Sequence, residues 1–472
     1  MCIRDRLYHN DQSGGKIYGM DGGLTLWADD QNRNGYIDSA SNEHAFLYAG
    51  MRRGGSSYYA FDVSDKDAPQ FKWQIAGGPG GTAGFEELGE TWSRMSPTTI
   101  KYGSNEKKVL IFGGGYDNAQ DDKTTRSPDS IGRAIYIVDA DTGDLLWSGG
   151  AGDHNETETF QDMMYSIPAT PIALDADGDG ATEQIYVGDM GGQIWRFDID
   201  ISSETLELDG GVIADFGTDG VMSDARRFYH TPDISLSVFD SEFVLSIAIG
   251  SGYQAHPLST TIDDRFYVVR YPIEYAGEGN YGVAEDLPPG SDPDAATTYE
   301  IITERHLYNA TDNLIGEGSP EEKDAAQQQL LAAEGWFVEM EGTGEKVLGS
   351  SVTFDNTIQF TSYTPGTVSD PCSPHVGSGT FWALNLLDAT PAVQFDVDNE
   401  QVNKKDRKRN ILTPGQPPAP QTLIVPTIPP DGDDTTHIDD FQVITTSGGN
   451  TLLTHEPDTL VDRVYWSEYP EF

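Results

Sequence analysis

Four segments of the chain repeat one pattern: an apolar run rich in aromatic residues, a turn that contains aspartate, and a second run with tryptophan or phenylalanine. Such turn residues fit the tight reversal between two antiparallel strands, so each segment predicts a β-hairpin. The segments are SYYAFDVSDKDAPQFKWQI (57–75), AIYIVDADTGDLLW (134–147), QIYVGDMGGQIWRFDI (184–199) and FWALNLLDATPAVQFDV (381–397).

The spacing of these hairpins indicates how they assemble. They recur at irregular, blade-sized intervals along 472 residues, and 52 glycines and 26 prolines separate short apolar runs. Many short strands joined by turns favour an all-β protein, here a β-propeller with long loop insertions. A β-sandwich is the alternative, but it would need fewer strands than the pattern contains.

Two stretches interrupt the strand pattern. An insertion over about 274–335 begins with a polar, Gly/Pro-rich loop (274–298) and ends with SPEEKDAAQQQLLAAEG (319–335). Its serine, the glutamate three residues later and the final glycine predict one short, capped surface helix. The basic run KKDRKRN (404–410) opens a Pro-rich connection over about 404–430. A basic patch can bind anions, but we expect this run to be a solvated loop.

The charge of the chain limits its partners. The formal net charge is −48, from 77 acidic and 29 basic residues. A field of this sign repels phosphate backbones and anionic lipids, which argues against a nucleic-acid partner, and it attracts divalent cations. No window approaches 18 consecutive apolar residues, so no transmembrane segment is expected.

The first residues, MCIRDR, form a charged opening with no apolar core after it, and no signal peptide is visible. We expect residues 1–15 to be the doubtful start of a gene fragment and residues 16–472 to form the propeller. An export signal missing from such a fragment says little about location.

The loop DADGDGATE (175–183) concentrates carboxylates between two predicted strands. Such a cluster is costly unless a cation neutralises it, and hard oxygen ligands in a flexible loop suit Ca²⁺ better than Mg²⁺. A glycine stands at position 6, where a calcium loop turns sharply. The predicted calcium ligands are Asp175, Asp177, Asp179, the backbone carbonyl of Ala181, and Glu183, at positions 1, 3, 5, 7 and 9.

This loop departs from an EF-hand in two respects. Position 12 is Tyr186 and not a bidentate glutamate, and the predicted flanks are strands and not helices. A calcium loop set in a hairpin is therefore predicted, without a helix-opening switch. The alternative is a solvated Asp/Gly turn that holds no ion.

A second loop, DQNRNGYID (30–38), has the same spacing. It has two carboxylates, and Arg33 lies within it, so weaker calcium affinity is expected there. Its predicted ligands are Asp30, Asn32, Asn34, Tyr36 and Asp38.

With these residues in place, the chain resembles the C-terminal propeller of the PilY family, calcium-binding proteins of type IV pilus biogenesis and tip adhesion. Taken together and in this order, the matching segments are specific. They are LYAGMRRGGSSYYAFDVSDKDAPQFKWQI (47–75), LGETWSRMSP (88–97), YSIPATPIALDADGDGATEQIYVGDMGGQIWRFDI (165–199), AIGSGYQAHPL (248–258), DDRFYVVR (263–270), GEKVLGSSVTF (344–354) and DPCSPH (370–375).

The resemblance implies a modified quinoprotein-like propeller of about seven blades in the family, and we expect the propeller to be incomplete here, with one blade missing. It also implies calcium at 175–183, with Glu183 where many members have aspartate. The implied role is regulation of pilus extension and retraction and of surface attachment. The implied partners are minor pilins and host or abiotic surface ligands, and the implied location is the bacterial surface, the pilus tip or the outer membrane and periplasm. The family's variable N-terminal region is missing from this sequence, and no RGD tripeptide is present.

Two other functions are compatible with this sequence pattern. A quinoprotein-like dehydrogenase shares the propeller style, but fold does not carry function, and no adjacent cysteine pair is present. We therefore expect no enzyme activity. A generic calcium-dependent surface-binding propeller differs from the pilus protein mainly in its partner.

Overall fold

The computed structural model describes residues 18–32, 34–38, 43–152, 156–277, 280–283, 301–366, 376–395, 402–426, 441–447 and 450–455. β-Strand is the main regular structure of these residues, and the chain divides into two compact units. Unit 1 comprises Met1–Ala214 with Asp286–Ile301 and Trp466–Phe472, and unit 2 comprises Asp215–Glu285 and Ile302–Tyr465.

The described residues of unit 1 form three sheets whose strands neighbour one another in chain order, the meander expected of propeller blades. The first sheet contains β1 (Leu24–Asp29), β2 (His44–Gly50), β3 (Ser57–Asp62) and β4 (Gln70–Ala76). The second contains β5 (Ser96–Tyr102), β6 (Asn105–Gly113), β7 (Ala134–Asp139), β8 (Leu145–Gly150) and β9 (Glu158–Thr159). The third contains β10 (Ile172–Leu174), β11 (Gln184–Gly188), β12 (Gln193–Ile199) and β13 (Leu208–Asp215).

Three further sheets are described in unit 2. The first contains β14 (Asp233–Phe239), β15 (Glu242–Gly250), β16 (Arg265–Gly277), β17 (Asn280–Val283), β18 (Tyr308–Asn309) and β19 (Gly335–Glu339). The second contains β20 (Lys346–Val347), β21 (Val352–Phe354), β22 (Thr357–Thr364), β23 (Ser378–Asn385) and β24 (Lys408–Asn410). The third contains β25 (Gln421–Pro426), β26 (Phe441–Ser447) and β27 (Asn450–His455).

The helices of the described residues are short. Two are α-helical, α1 (Leu314–Glu317) and α2 (Pro320–Leu331), and both lie between β18 and β19. None of them has the length and apolar character that a membrane-crossing helix requires. The 3₁₀ turns are Arg52–Gly54, Asn118–Asp122, Glu304–His306 and Lys404–Arg407.

Three of the four predicted hairpins are confirmed: β3 pairs with β4, β7 with β8, and β11 with β12, all antiparallel. The fourth is only half right. In 381–397 the first run is β23, but its described partner strands are β22 and β24. The described part of the second run forms a bridge between Leu384 and Pro391 and a hydrogen bond from the Ala392 N–H to the Ala383 carbonyl at 3.3 Å, but no strand. Proline has no N–H to donate to a sheet ladder, which disfavours a regular strand at this position.

Aromatic side chains fill the space between the second and third sheets. Trp195 stacks on Phe197 with ring centroids 5.9 Å apart, and Phe160 meets Trp195 edge-on at 6.2 Å. These rings are buried together with Trp147 and with aliphatic residues from both sheets. Burial of this apolar surface is the main driving force for packing the sheets against each other.

The predicted helix 319–335 is present but shorter, as α2. Its capping box is confirmed: the Ser319 hydroxyl accepts the Glu322 N–H at 3.3 Å, and the Glu322 carboxylate accepts the Ser319 N–H at 2.8 Å. The prediction that Gly335 closes the helix is wrong, because Gly335 begins β19. A Cβ atom at Gly335, where φ is +143°, would lie 2.1 Å from the Val268 carbonyl oxygen, so close strand approach requires glycine there.

We expect Ser319→Ala to destabilise α2 by about 1 kcal/mol, because the variant loses the side-chain acceptor for an N–H of the first turn. Amide hydrogen exchange of the α2 backbone measures this local effect. The exposed Glu321→Ala variant, one residue from the capping pair, is the control and should change exchange less. Equal protection in Ser319→Ala and the unmodified chain would contradict the prediction.

Two predicted loops contain regular structure. In 274–298 the described residues continue β16 and form β17, while the remainder lies outside the described residues. In the Pro-rich connection 404–430, the basic run forms a 3₁₀ turn followed by β24, and β25 follows later. The prediction of a solvated loop at 404–410 is wrong: Asp406 and Arg407 are 0% and 2% exposed.

Candidate metal centre

The loop DADGDGATE joins β10 to β11, so the predicted strand flanks are confirmed. The two strands pair in antiparallel register, with Leu174 opposite Gln184. The loop is also tied to the neighbouring sheet, because the Thr182 N–H donates to the Thr99 carbonyl at 2.8 Å. The hydroxyls of Thr182 and Thr98 lie 2.7 Å apart, which adds a second tie to β5.

Carboxylates fold the loop by accepting its own backbone N–H groups. Asp175 accepts the N–H of Gly178 at 2.7 Å and that of Gly180 at 2.8 Å. Asp177 accepts the Asp179 N–H at 3.0 Å, and Asp179 accepts the Ala181 N–H at 2.9 Å. The two glycines have φ of +79° and +92° with open space around a would-be Cβ, so backbone conformation, not crowding, favours glycine at these positions.

These bonds bring four predicted ligands together: one oxygen from each of Asp175, Asp177, Asp179 and Glu183 lies within 4.8 Å of the others. In the described part of the chain, no other such group of three or more Asp, Glu, His or Cys side chains occurs. Burial raises the pKa of Glu183 to about 7, and the charges of Asp177, Asp175 and Asp179 add to the effect. The donor set, oxygen-only and anionic, fits a hard divalent cation.

Ala181 is buried at the end of the loop. Its N–H is held by Asp179, and this fixes the peptide that follows the sharp turn at Gly180. Ligation by the Ala181 carbonyl stays a prediction.

Lys101 is a member of this site that sequence reasoning missed. Its ammonium group pairs with Asp179 at 2.5 Å and lies 3.9 Å from Glu106. The hydrogen bond from Lys101 lowers the pKa of Asp179. No local pattern could indicate this contact, since Lys101 lies on β5, far from the loop in sequence, and only the packing of adjacent sheets brings it there.

The second predicted loop lies between β1 and β2 and has a similar turn. Asp30 accepts the Gly35 N–H at 2.7 Å and the Asn34 N–H at 3.3 Å, and Asn34 accepts the N–H of the exposed Tyr36 at 2.8 Å. The first aspartate of both loops thus accepts the N–H of the glycine five residues on. Arg33 lies outside the described residues.

Glu43, which sequence reasoning also missed, closes this second loop. It is 1% exposed, and it accepts the Asn32 side-chain amide at 2.6 Å and the Asp38 N–H at 2.9 Å. Its carboxylate is therefore engaged by the loop's own donors. The described residues around 30–38 do not gather three acidic ligands as the first loop does.

Comparisons with known proteins connect this fold to one family. Residues 5–269, more than half of the chain, match the family model described as the PilY1 beta-propeller domain. The chain is 24% identical over 402 residues to the type IV pilus biogenesis factor PilY1 homolog of Xylella fastidiosa. This alignment covers 79% of this chain and 23% of that protein. It is 27% identical over 156 residues to type IV pilus biogenesis factor PilY1 of Pseudomonas aeruginosa PAO1. That alignment covers 33% of this chain and 11% of the relative.

The chain thus spans less than a quarter of the length of either relative. Among solved structures, it resembles the C-terminal domain of Pseudomonas aeruginosa PilY1 with a TM-score of 0.53 and 16% identity. That likeness covers 88% of this chain and 80% of the other. The predicted fold class, an all-β propeller type, is confirmed.

Proposed function

This chain belongs to the PilY1 β-propeller family, and from that premise we propose that it is the calcium-binding domain of a type IV pilus assembly and adhesion protein. The domain regulates pilus extension and retraction and contributes to surface attachment. Its role is binding and not catalysis, in keeping with relatives named as pilus biogenesis factors.

One observation carries the calcium proposal: four carboxylates converge within 4.8 Å at one turn. Only one basic side chain, Lys101, forms an ion pair with this group among the described residues, so most of its negative charge is left uncompensated. A divalent cation would supply that compensation and accept oxygen ligands from several residues at once.

The residues of the loop would have different roles in binding the ion. Asp175 holds the turn through two N–H groups, and it would present its remaining acceptor capacity to the ion. Asp177, Asp179 and Glu183 would supply the other carboxylate oxygens, and Ala181 a backbone carbonyl. The ties of Thr182 to β5 connect the loop to the neighbouring sheet, so ion binding would stabilise the contact between two blades.

Membership of the family supports a proposal for the partners and the location of the protein. We propose minor pilins and the pilus machinery as the protein partners, with surface ligands on the host or on abiotic material as the adhesion target. The place of action is the bacterial surface, at the pilus tip or in association with the outer membrane and periplasm. The relatives' own names, as type IV pilus biogenesis factors, support the pilus pathway.

Removing the competing ammonium should strengthen calcium binding. We expect Lys101→Met to raise the affinity of the loop several-fold, because Lys101 occupies an oxygen of Asp179 and repels a nearby cation. Isothermal titration calorimetry at low ionic strength measures the change. Lys66→Met, which removes an exposed lysine paired with Asp67 at 2.8 Å, is the matched control and should leave affinity unchanged. Weaker binding in Lys101→Met would show that the lysine supports the site.

The pilus proposal is tested in cells that carry the full-length protein. We expect Asp177→Ala to alter surface piliation and twitching motility without lowering protein abundance, since the change removes a ligand and no core contact. Surface pilin, motility zones and immunoblots of the protein are measured together. Asp67→Ala, an exposed aspartate in the β3–β4 turn, is the control. Normal piliation and twitching in a variant that has lost calcium binding would reject the regulatory role. The loop would then only stabilise the local structure.

A further inference from the structure

Unit 2 contains a cavity of about 450 Å³, within the roughly 300–1,000 Å³ range of ligand pockets. The basic run Lys404–Lys408 forms one side of it, and β19 and β23 contribute the apolar residues Val338 and Trp382. The remaining lining residues are polar or acidic: Thr311, Glu317, Glu339, Glu341 and Asn403.

Arg407 is an unusual member of this lining. It is 2% exposed, and its guanidinium donates only to neutral oxygens: the carbonyls of Ala310 at 2.8 Å and Thr311 at 3.1 Å, and the Asn313 side chain at 3.1 Å. Its Nε–H has no hydrogen-bond partner, and no carboxylate lies at ion-pair distance among the described residues. Burial lowers the pKa of Arg407 to about 10, so the side chain keeps its charge at neutral pH.

The other charges of the cavity are largely matched. Lys404 pairs with Glu341 at 2.8 Å, and Lys408 lies 3.9 Å from the same carboxylate. Glu339 pairs with Arg265 at 3.5 Å. Glu317 accepts the Lys404 N–H at 2.9 Å and the Asn313 amide at 3.3 Å. Two cations, Arg407 and the exposed Lys405, form no ion pair with a carboxylate of the described residues.

The chemistry of the lining limits which class of ligand the cavity can bind. Trp382 is 3% exposed and Lys408 lies 4.3 Å from its ring centroid, so the indole offers no open face for a sugar to stack on. Three glutamates in the lining would repel a doubly charged phosphate more strongly than a single carboxylate. The side-chain oxygen of Asn403 accepts the Lys405 N–H at 3.0 Å, and the Thr311 hydroxyl accepts the Glu339 N–H at 3.0 Å. The Thr311 hydroxyl also has an O–H that can donate to a carbonyl or carboxylate oxygen of a peptide.

We propose that this cavity binds a carboxylate group of a peptide, with Lys405 and Arg407 as the groups that compensate its charge. The charges of Asp388, Glu317 and Glu341 act on Arg407 without forming a described ion pair, and burial still lowers its pKa. A carboxylate in the cavity would pair with the exposed Lys405 and add a further negative charge near the buried guanidinium. The site is separate in sequence from the calcium loop, and the inference does not depend on that loop binding an ion.

The test uses the 472-residue chain and a fluorescent peptide, N-acyl-Ala-Ala-Ala, with a free C-terminal carboxylate. We expect saturable binding by fluorescence anisotropy, about tenfold or more weaker for the amidated peptide, and weaker again as salt rises. Lys405→Glu should also weaken binding about tenfold or more. Lys405 is exposed and its described hydrogen bonds are formed by its backbone N–H and carbonyl, so this variant should fold.

Lys66→Glu carries the same change of charge in unit 1 and should bind the peptide as the unmodified chain does. Titrations with and without calcium should agree, which separates this site from the calcium loop. The proposal is overturned by no saturable binding, by equal binding of amidated and free peptides, or by an unchanged affinity in Lys405→Glu. Competition by inorganic phosphate at lower concentration than by acetate would overturn the carboxylate assignment.

Discussion

The Asp177→Ala variant is expected to lose the tighter calcium-binding event of this chain while keeping a near-native circular dichroism spectrum. Asp177 is exposed and accepts one N–H, that of Asp179 at 3.0 Å, so its removal costs little structure. It is also one of four carboxylates within 4.8 Å, and calcium affinity depends strongly on the number of charged ligands. The loss should therefore appear in binding and not in folding.

Calorimetric titration with calcium, alongside circular dichroism, measures both properties. Asp38→Ala is the matched control in the second loop, where the structure does not gather three acidic ligands, and we expect it to leave the tighter event intact. If Asp38→Ala removes the tighter event and Asp177→Ala does not, the ranking of the two loops is reversed. Loss of the folded spectrum in Asp177→Ala would instead show that the loop is needed for folding.

Calcium should also stabilise the unmodified chain by mass action. A ligand that binds only the folded state contributes about 2.7 kcal/mol at a hundredfold excess over its dissociation constant. Chelation should lower the unfolding temperature of the unmodified chain and have no such effect on Asp177→Ala. This comparison measures how much the ion stabilises the fold. Protein abundance must be measured alongside motility, because a loss of stability could lower the amount of protein.

The largest loss of stability is expected from Trp195→Ala. Trp195 is 1% exposed between the second and third sheets, and its indole N–H donates to the buried Asp189 at 2.9 Å. A buried tryptophan replaced by alanine leaves a cavity, at a cost of about 3–5 kcal/mol. The variant also removes a donor from a carboxylate that is 0% exposed, which adds to that cost.

Urea unfolding followed by circular dichroism gives the change in free energy of unfolding. Trp195→Phe retains most of the ring and should lose less, while Phe71→Ala, whose side chain is 60% exposed, should change stability little. An unfolding midpoint in Trp195→Ala equal to that of Phe71→Ala would contradict the assignment of Trp195 to the core between the sheets.

Local pattern was sufficient for the hairpins and for the main loop. In β11–β12, aromatic strands flank Asp189, which accepts the N–H groups of Gly191 at 2.8 Å and Gln193 at 2.9 Å, so the turn is built from neighbours in sequence. The aspartates of 175–183 likewise bond to N–H groups two to five residues away. Short-range hydrogen bonds of this kind are encoded in spacing, and for that reason the sequence predicts them.

Contacts between distant segments were not predictable in this way. The burial of Arg407 contradicts the solvated loop expected for a run of basic residues, because the described residues that surround its guanidinium, Ala310, Thr311 and Asn313, lie far away in the chain. Gly335 is a residue type that often ends a helix, but here its lack of a side chain allows β19 to lie close to the backbone of Val268.

The sequence by itself determined the strand-and-turn pattern, the family, and the four carboxylates of one loop, since each depends on residues that are close along the chain. Only the tertiary structure decided that Lys101 contacts Asp179 and that Glu43 accepts donors of the second loop. It also decided that Lys405 and Arg407 line a cavity with no carboxylate at ion-pair distance among the described residues. The physical reason is that burial and long-range electrostatics depend on which sheets pack together, and no local spacing records that packing.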